Sequence, residues 1–344
     1  MPSWSALGIK WSVLPLVRSR LAALLSASPA PVRELRTLRS LGDSFVARSP
    51  THRAAEATVV DRSHAGSEWH SLSSASGACS TLVFAVHGGA FVAGNSALYR
   101  PLWSALAKQC GPSVCIAAPS TLLAPEASLD AILEHLEASY VAAVARAGVS
   151  ADNVVVLGDS AGAHLAVGML LRLSRSRAAG ATATAALRPR ALLLSSPVVS
   201  FTKRWADVAS RADDPLLPFE NNALQALGSF VLTGGNVFHA QSTASAAERA
   251  SVVAALEQNA TLSPLLTPAA ELVTALPKRI YVTAGSTEGL LPQSEAFAAA
   301  LQTRVHVRDG LWHSYAAMVG HVPEADDELT RWADFILEET RRKL

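Results

Sequence analysis

Apolar residues run in short unbroken blocks, separated by longer stretches in which they recur every third or fourth position. Blocks at 82–86, 114–118, 154–157, 191–194, 280–284 and 305–307 are too short for helices and are bounded by turn-forming residues, so they predict buried strands. Residues 127–147 place Leu129, Ile132, Leu133, Leu136 and Tyr140 at helical spacing. Helical stretches also follow at 161–173, 291–301 and 324–342. The last carries acids early and Arg341, Arg342 and Lys343 late, as the helix dipole favours. Strand blocks alternating with helices predict an α/β protein: a mostly parallel central sheet flanked by helices. An earlier pair of segments, 58–60 and 69–72, predicts antiparallel strands.

Two regions break the alternation. Residues 200–265 hold Trp205, Pro215, Pro218 and two predicted helices, near 221–232 and 244–258. An insertion there would sit over the carboxyl edge of the sheet, where open α/β sheets bind ligands. The first 33 residues carry Lys10, Arg18, Arg20 and Arg33 and no acid, with Leu7, Trp11, Leu14, Val17, Leu21 and Leu24 at helical spacing. Pro15 divides this pattern into two short helices. No charge-free run reaches the roughly 18 residues of a membrane span. Three readings of residues 1–33 stay open: a helical lid, an interfacial membrane-contacting helix aided by Trp4 and Trp11, and an organelle-targeting peptide. The chain thus divides into a cap or membrane-contacting segment over 1–50 and a catalytic domain over 51–344 with a cap insertion around 200–265. Its expected location is cytoplasmic or at a membrane surface, with organelle targeting open.

Composition narrows the class. Half of the 344 residues are apolar and 17% are charged, which excludes a disordered chain. A net charge of +1 with no recurring basic stripe excludes nucleic acid as the expected partner. Cys79, Cys110 and Cys115 have no metal-type spacing, and a sparse, odd set predicts reduced thiols rather than a disulfide scaffold.

Three motifs carry chemistry. Gly158-Asp159-Ser160-Ala161-Gly162 matches G-x-S-x-G between a predicted strand and a predicted helix. That context predicts a sharp turn holding Ser160 exposed as a nucleophile, with flanking glycines admitting close backbone. His87-Gly88-Gly89-Ala90-Phe91 ends the block at 82–86. Backbone N–H groups of Gly88 and Gly89, with that of Ala161 at a helix N-terminus, are the expected donors to an oxyanion. His87 itself reads as structural. Gly310-Leu311-Trp312-His313 follows the last strand block, where the elbow's base belongs. His313 is therefore the expected general base, with His321 as its rival. His164 lies four residues past Ser160 along the same helix and is set aside. The acid that orients the base belongs after the penultimate strand, where Glu288 is the carboxylate in the loop 285–290; Glu295 and Asp309 compete. Phe91 and Trp312 adjoin these motifs, Phe201 and Trp205 open the insertion at 200–265, and the four are candidates for an apolar substrate pocket. The mechanism calls for no metal and no organic cofactor.

These motifs, with Leu123-Ala124-Pro125-Glu126 and Ala284-Gly285-Ser286-Thr287-Glu288, resemble the hormone-sensitive-lipase-like esterases. The resemblance runs from about Thr81 to the C-terminus, about three-quarters of the chain. It implies the α/β-hydrolase fold with a helical cap, a carboxylesterase acting on a small-molecule ester, and a triad of Ser160, Glu288 and His313. Three places depart from the family's pattern. Ala90 stands for its third oxyanion-loop glycine, Thr121-Leu122 for its Tyr-Arg, and Glu288 for its usual aspartate, one residue further on. The family also includes amidases, sterol-ester deacetylases and receptors that kept the fold and lost the base, so amidase or arylformamidase activity and a non-catalytic receptor are the alternatives.

Overall fold

The computed structural model describes residues 32–56, 59–64, 67–72, 79–180, 187–209, 214, 223–239 and 241–342. The N-terminal pattern at 1–31 lies outside them. Eight strands form one sheet: β1 Val59–His64, β2 Ser67–His70, β3 Thr81–Val86, β4 Val114–Pro119, β5 Val154–Asp159, β6 Ala191–Ser195, β7 Arg279–Gly285 and β8 Val305–Arg308. Their order is β1-β2-β4-β3-β5-β6-β7-β8. β2 runs antiparallel to β1 and to β4, and every later pairing is parallel. All six predicted blocks fall within β3 to β8. β2 begins two residues before the predicted 69–72, because its register is set from Ser67↔Pro119 to His70↔Ile116 against β4.

The period-two alternation of a strand explains why the blocks read as unbroken apolar runs. Leu82, Phe84, Val86, Val154, Val156 and Leu194 pack into one core cluster, while Val83, Ala85, Val155, Leu157 and Leu193 pack into another. Both faces are covered, so no strand position needs a polar side chain.

Helices α1 Val32–Arg48 and α2 Pro50–Glu56 precede the sheet. α3 Arg100–Cys110, α4 Leu129–Ala147 and α5 Ala161–Ala178 connect β3 through β6. α4 starts two residues after its apolar pattern because Ser128 caps it, its side chain accepting the Ala131 N–H at 3.3 Å. Between β6 and β7 lie α6 Lys203–Ala209, α7 Ala223–Thr233, α8 Ala246–Gln258 and α9 Ala269–Ala275. α7 and α8 correspond to the two helices expected in the insertion. Ser245 and Glu248 close a capping box that fixes where α8 begins. α10 Leu291–Ala300 and α11 Pro323–Arg342 complete the chain. α3 was not expected from the pattern, although it buries Leu102, Trp103, Leu106 and Cys110 against the cluster that also holds Trp332 and Ile336 of α11.

Register aligns the sheet's carboxyl edge. Asp159 pairs with Ser195, Ser195 with Thr283, and Gly285 with Arg308. The segments leaving β5, β6, β7 and β8 therefore emerge side by side, which brings residues distant in sequence into one site.

Candidate active site

Ser160 is the residue between β5 and α5. Its backbone has φ 55° and ψ −119°, a conformation that costs on the order of 1–3 kcal/mol for a residue with a Cβ. The surroundings impose it. A Cβ on Gly162 would lie 2.3 Å from the Val86 carbonyl oxygen and 2.4 Å from that of His87, so α5 starts in contact with the end of β3 only because Gly162 has none. The Ser160 N–H donates to the Ser195 carbonyl at 2.9 Å, tying the turn to β6.

His313 reaches this turn from the loop after β8. Its Nε2 lies 2.7 Å from Ser160 Oγ, and its Nδ1 lies 3.1 Å from Glu288 Oε2. Ser160, His313 and Glu288 are all buried. The loops carrying Glu288 and His313 are stitched together. Thr287 donates to the Leu311 carbonyl through its N–H at 3.0 Å and its hydroxyl at 2.8 Å, and the Ser286 N–H donates to the Arg308 carbonyl at 2.9 Å. Gly285 permits the approach, since a Cβ there would lie 2.2 Å from the Leu311 oxygen.

The other contenders sit elsewhere. Asp309 is exposed and accepts from the Ser286 hydroxyl at 3.2 Å; Glu295 is exposed on α10. The His321 N–H donates to Met318, within its own turn. His164 is fully buried, its ring nitrogens facing the carbonyls of Val198 and Thr261, and burial lowers its pKa to about 4. His87 is buried with Nδ1 donating to the Gly88 carbonyl at 2.7 Å and Nε2 accepting the Thr121 N–H at 3.2 Å. That pattern fixes a neutral tautomer in a structural role.

Burial acts against a charged His313. The hydrogen bond and charge of Glu288, with the charges of Asp214 and Asp159, outweigh it and hold the imidazole pKa above its ordinary 6.5. Asp214 comes from the segment between β6 and β7. It is 1% exposed, and its Oδ2 accepts the backbone N–H of His313 at 3.3 Å. The next N–H, of Ser314, donates to Ser196 Oγ at 3.0 Å. Neither Asp214 nor Ser196 stands out in the sequence. No spacing rule points to them, because their partners are backbone groups about a hundred residues away.

The Gly88-Gly89 loop leaves β3 beside Ser160. Gly89 has φ 129°, and its carbonyl accepts from the Val92 and Ala93 N–H groups in a tight turn. Ala90 and Phe91 also take positive φ, at 54° and 64°. Arg39 of α1 secures the far side of this turn. Its guanidinium donates to the Val92 carbonyl at 2.8 Å, the Ala124 carbonyl at 2.9 Å and both oxygens of Glu126, at 2.7 and 2.9 Å. Arg39→Ala should therefore lower stability by about 1–2 kcal/mol, read as a fall in Tm, with Arg39→Lys restoring little because a lysine cannot reproduce the fork. An unchanged Tm would show that the latch contributes nothing.

Three of the four aromatic candidates are brought together, and Trp312 is not. Phe91 meets His164 edge-on at 5.1 Å and Phe201 at 5.9 Å, all within one buried cluster. Trp205 is half-buried against that cluster, with Arg204 over its ring. Trp312 packs in the cluster on the other face of the sheet. Among the described residues no His, Cys, Asp or Glu group is arranged to hold a metal ion, and no helix is long and apolar enough to cross a membrane. All three cysteines are free thiols and buried.

Comparison with known proteins agrees with this fold. An esterase of Acinetobacter venetianus is 28% identical over 265 residues, covering 74% of each chain. A crystal structure of an esterase from the bacterial hormone-sensitive lipase family aligns with TM-score 0.66 at 19% identity, over 98% of this chain and 99% of that one. A hyperthermophilic esterase from the archaeon Pyrobaculum calidifontis aligns with TM-score 0.66 at 18% identity, over 95% and 98%. The model of the alpha/beta hydrolase fold matches residues 83–317. With the sheet order, the strained serine turn and that match in agreement, the chain belongs to the α/β-hydrolase fold family.

Proposed function

We propose that this protein is a serine carboxylesterase working through an acyl-enzyme on Ser160. The observation that carries the reading is the relay from Ser160 Oγ to His313 Nε2 at 2.7 Å and from His313 Nδ1 to Glu288 at 3.1 Å. His313 takes the hydroxyl proton as Ser160 Oγ attacks the ester carbonyl carbon. Negative charge moves to the carbonyl oxygen, where the N–H groups of Gly88, Gly89 and Ala161 act as donors. The imidazolium gives its proton to the departing alkoxide, leaving the acyl-serine. A water molecule then attacks that ester, losing its proton to His313, and the acid departs as Ser160 recovers its proton. Glu288 fixes the tautomer and balances the imidazolium throughout.

The esterase relatives favour an ester over an amide, and the small-molecule class follows from them. Helix α1, latched by Arg39, and the helices between β6 and β7 are the parts we assign to a cap. Phe91 of the loop after β3, with Phe201 and Trp205 of the segment after β6, is the apolar surface we place beside the elbow helix. The test is hydrolysis of p-nitrophenyl esters against a formanilide over a pH series. Ester turnover should dominate, and kcat/KM should fall as pH drops through a value above 6.5, since His313 must be neutral to accept the proton. Preferential formanilide hydrolysis would reassign the chain as an arylformamidase. Absence of both activities would leave a receptor.

A further inference from the structure

We propose that Asp214 is a positioning residue for the catalytic base, contributed by the segment between β6 and β7; the proposal rests on the esterase reading above. Two features carry it. The Asp214 carboxylate is 1% exposed, and its Oδ2 receives the backbone N–H of His313 at 3.3 Å. A carboxylate withdrawn from water and bonded to the main chain of the base does two things at once. It fixes where the imidazole begins, and it places a negative charge beside the ring that becomes positive in the transition state.

The loop shows why such a hold is needed. His313 must place Nε2 against a serine from β5 and Nδ1 against a carboxylate from the loop after β7. Ser314, immediately after it, sits at φ 55°, an unfavourable backbone conformation for a side-chain-bearing residue. Two consecutive N–H groups across this bend are each held by a buried side chain: His313 by Asp214 and Ser314 by Ser196. The bend is thereby fixed from the segments that leave β6, the strand between the nucleophile's and the acid's.

Among the described residues, three carboxylates favour the charged imidazole, each from a different element. Glu288 comes from the loop after β7, Asp159 from the end of β5, and Asp214 from the segment after β6. Asp159 also accepts the Tyr99 hydroxyl at 2.7 Å, and Glu288 is committed to Nδ1. Asp214 is thus a second carboxylate bonded to His313, through the backbone rather than the ring. Removing its charge should make the imidazolium less favourable, so that His313 is neutral down to a lower pH.

The experiment compares three proteins: wild type, Asp214→Asn and Asp214→Glu. Asparagine keeps an acceptor for the His313 N–H and loses the charge; glutamate keeps the charge. The readouts are kcat and KM for a p-nitrophenyl ester across pH, and the rate at which a fluorophosphonate labels Ser160. In Asp214→Asn the acid limb of both profiles should move down by at least about 0.5 pH unit, with kcat lowered ~10-fold and KM within about twofold of wild type. Asp214→Glu should return the acid limb toward that of wild type. If Asp214→Asn does not fold, Asp214→Ser, which also lacks the charge, carries the same expectation. Superimposable acid limbs for wild type and the neutral variant would overturn the proposal. So would a loss of activity that glutamate does not relieve at all, which would mean that Asp214 only supports the fold. A wild-type protein with no esterase activity and no labelling would refute the esterase reading instead.

Discussion

Ser160→Ala should lower kcat by ~10³-fold or more while the protein stays folded, because nucleophile and base act as one unit and neither works alone. The removed hydroxyl lies 2.7 Å from His313 Nε2, so the substitution takes away the attacking atom and leaves the imidazole without its partner. The strained turn should survive. Its geometry comes from contacts of Gly162 with the carbonyls of Val86 and His87 and from the Ser160 N–H bond to Ser195, none of which involves the side chain. Circular dichroism and Tm close to wild type should accompany the loss. Retention of near-wild-type ester hydrolysis would remove Ser160 from the mechanism.

Glu288→Gln should lower kcat by ~10²-fold or more with little change in KM. Glutamine is close to isosteric, so the substitution tests charge and hydrogen-bond polarity with the volume kept. The carboxylate is buried and bonded to His313 Nδ1 at 3.1 Å, with Ser196 also beside it. An amide there can present an N–H to Nδ1 and select the wrong imidazole tautomer, as well as leaving the imidazolium uncompensated. Asp309→Asn and Glu295→Gln should cost far less, since both side chains are exposed and Asp309 faces Ser286. A crippling Asp309→Asn beside a mild Glu288→Gln would move the acid onto the histidine's own loop.

The arrangement of Ser160, His313 and Glu288 was legible because each proposed triad member obeys a local rule. Ser160 announces itself through glycines at 158 and 162, which the crowded elbow requires. Glu288 and His313 announce themselves by following the last two parallel strands, whose carboxyl ends the register brings level. A glutamate one residue later than the family's aspartate still reaches the ring, because its longer side chain makes up the offset. The strand blocks were legible for a different reason: central strands covered on both faces carry apolar residues at successive positions.

What the sequence hid are contacts between a side chain and distant backbone. Arg39 holds the carbonyls of Val92 and Ala124, and Asp214 holds the N–H of His313, across separations that leave no periodic trace. The aromatic residues near the motifs misled in the opposite direction. Proximity in sequence to His313 put Trp312 among the pocket candidates, yet its ring packs in the cluster that holds Trp332 and Tyr315, on the other face of the sheet. Helix α3 is absent from the sequence reading; it carries Pro101 in its first turn, where proline fits well.

In the proposed mechanism Ser160 is an activated nucleophile and not merely a serine in a turn. Reaction with a fluorophosphonate probe followed by mass spectrometry of the digested protein tests it most directly, since only a hydroxyl activated by its base forms the stable adduct at an appreciable rate. A single adduct is expected on the peptide containing Gly158-Asp159-Ser160-Ala161-Gly162, formed in step with loss of ester hydrolysis and absent from Ser160→Ala. An unlabelled wild-type protein, or an adduct on another serine with activity lost alongside it, would contradict the account.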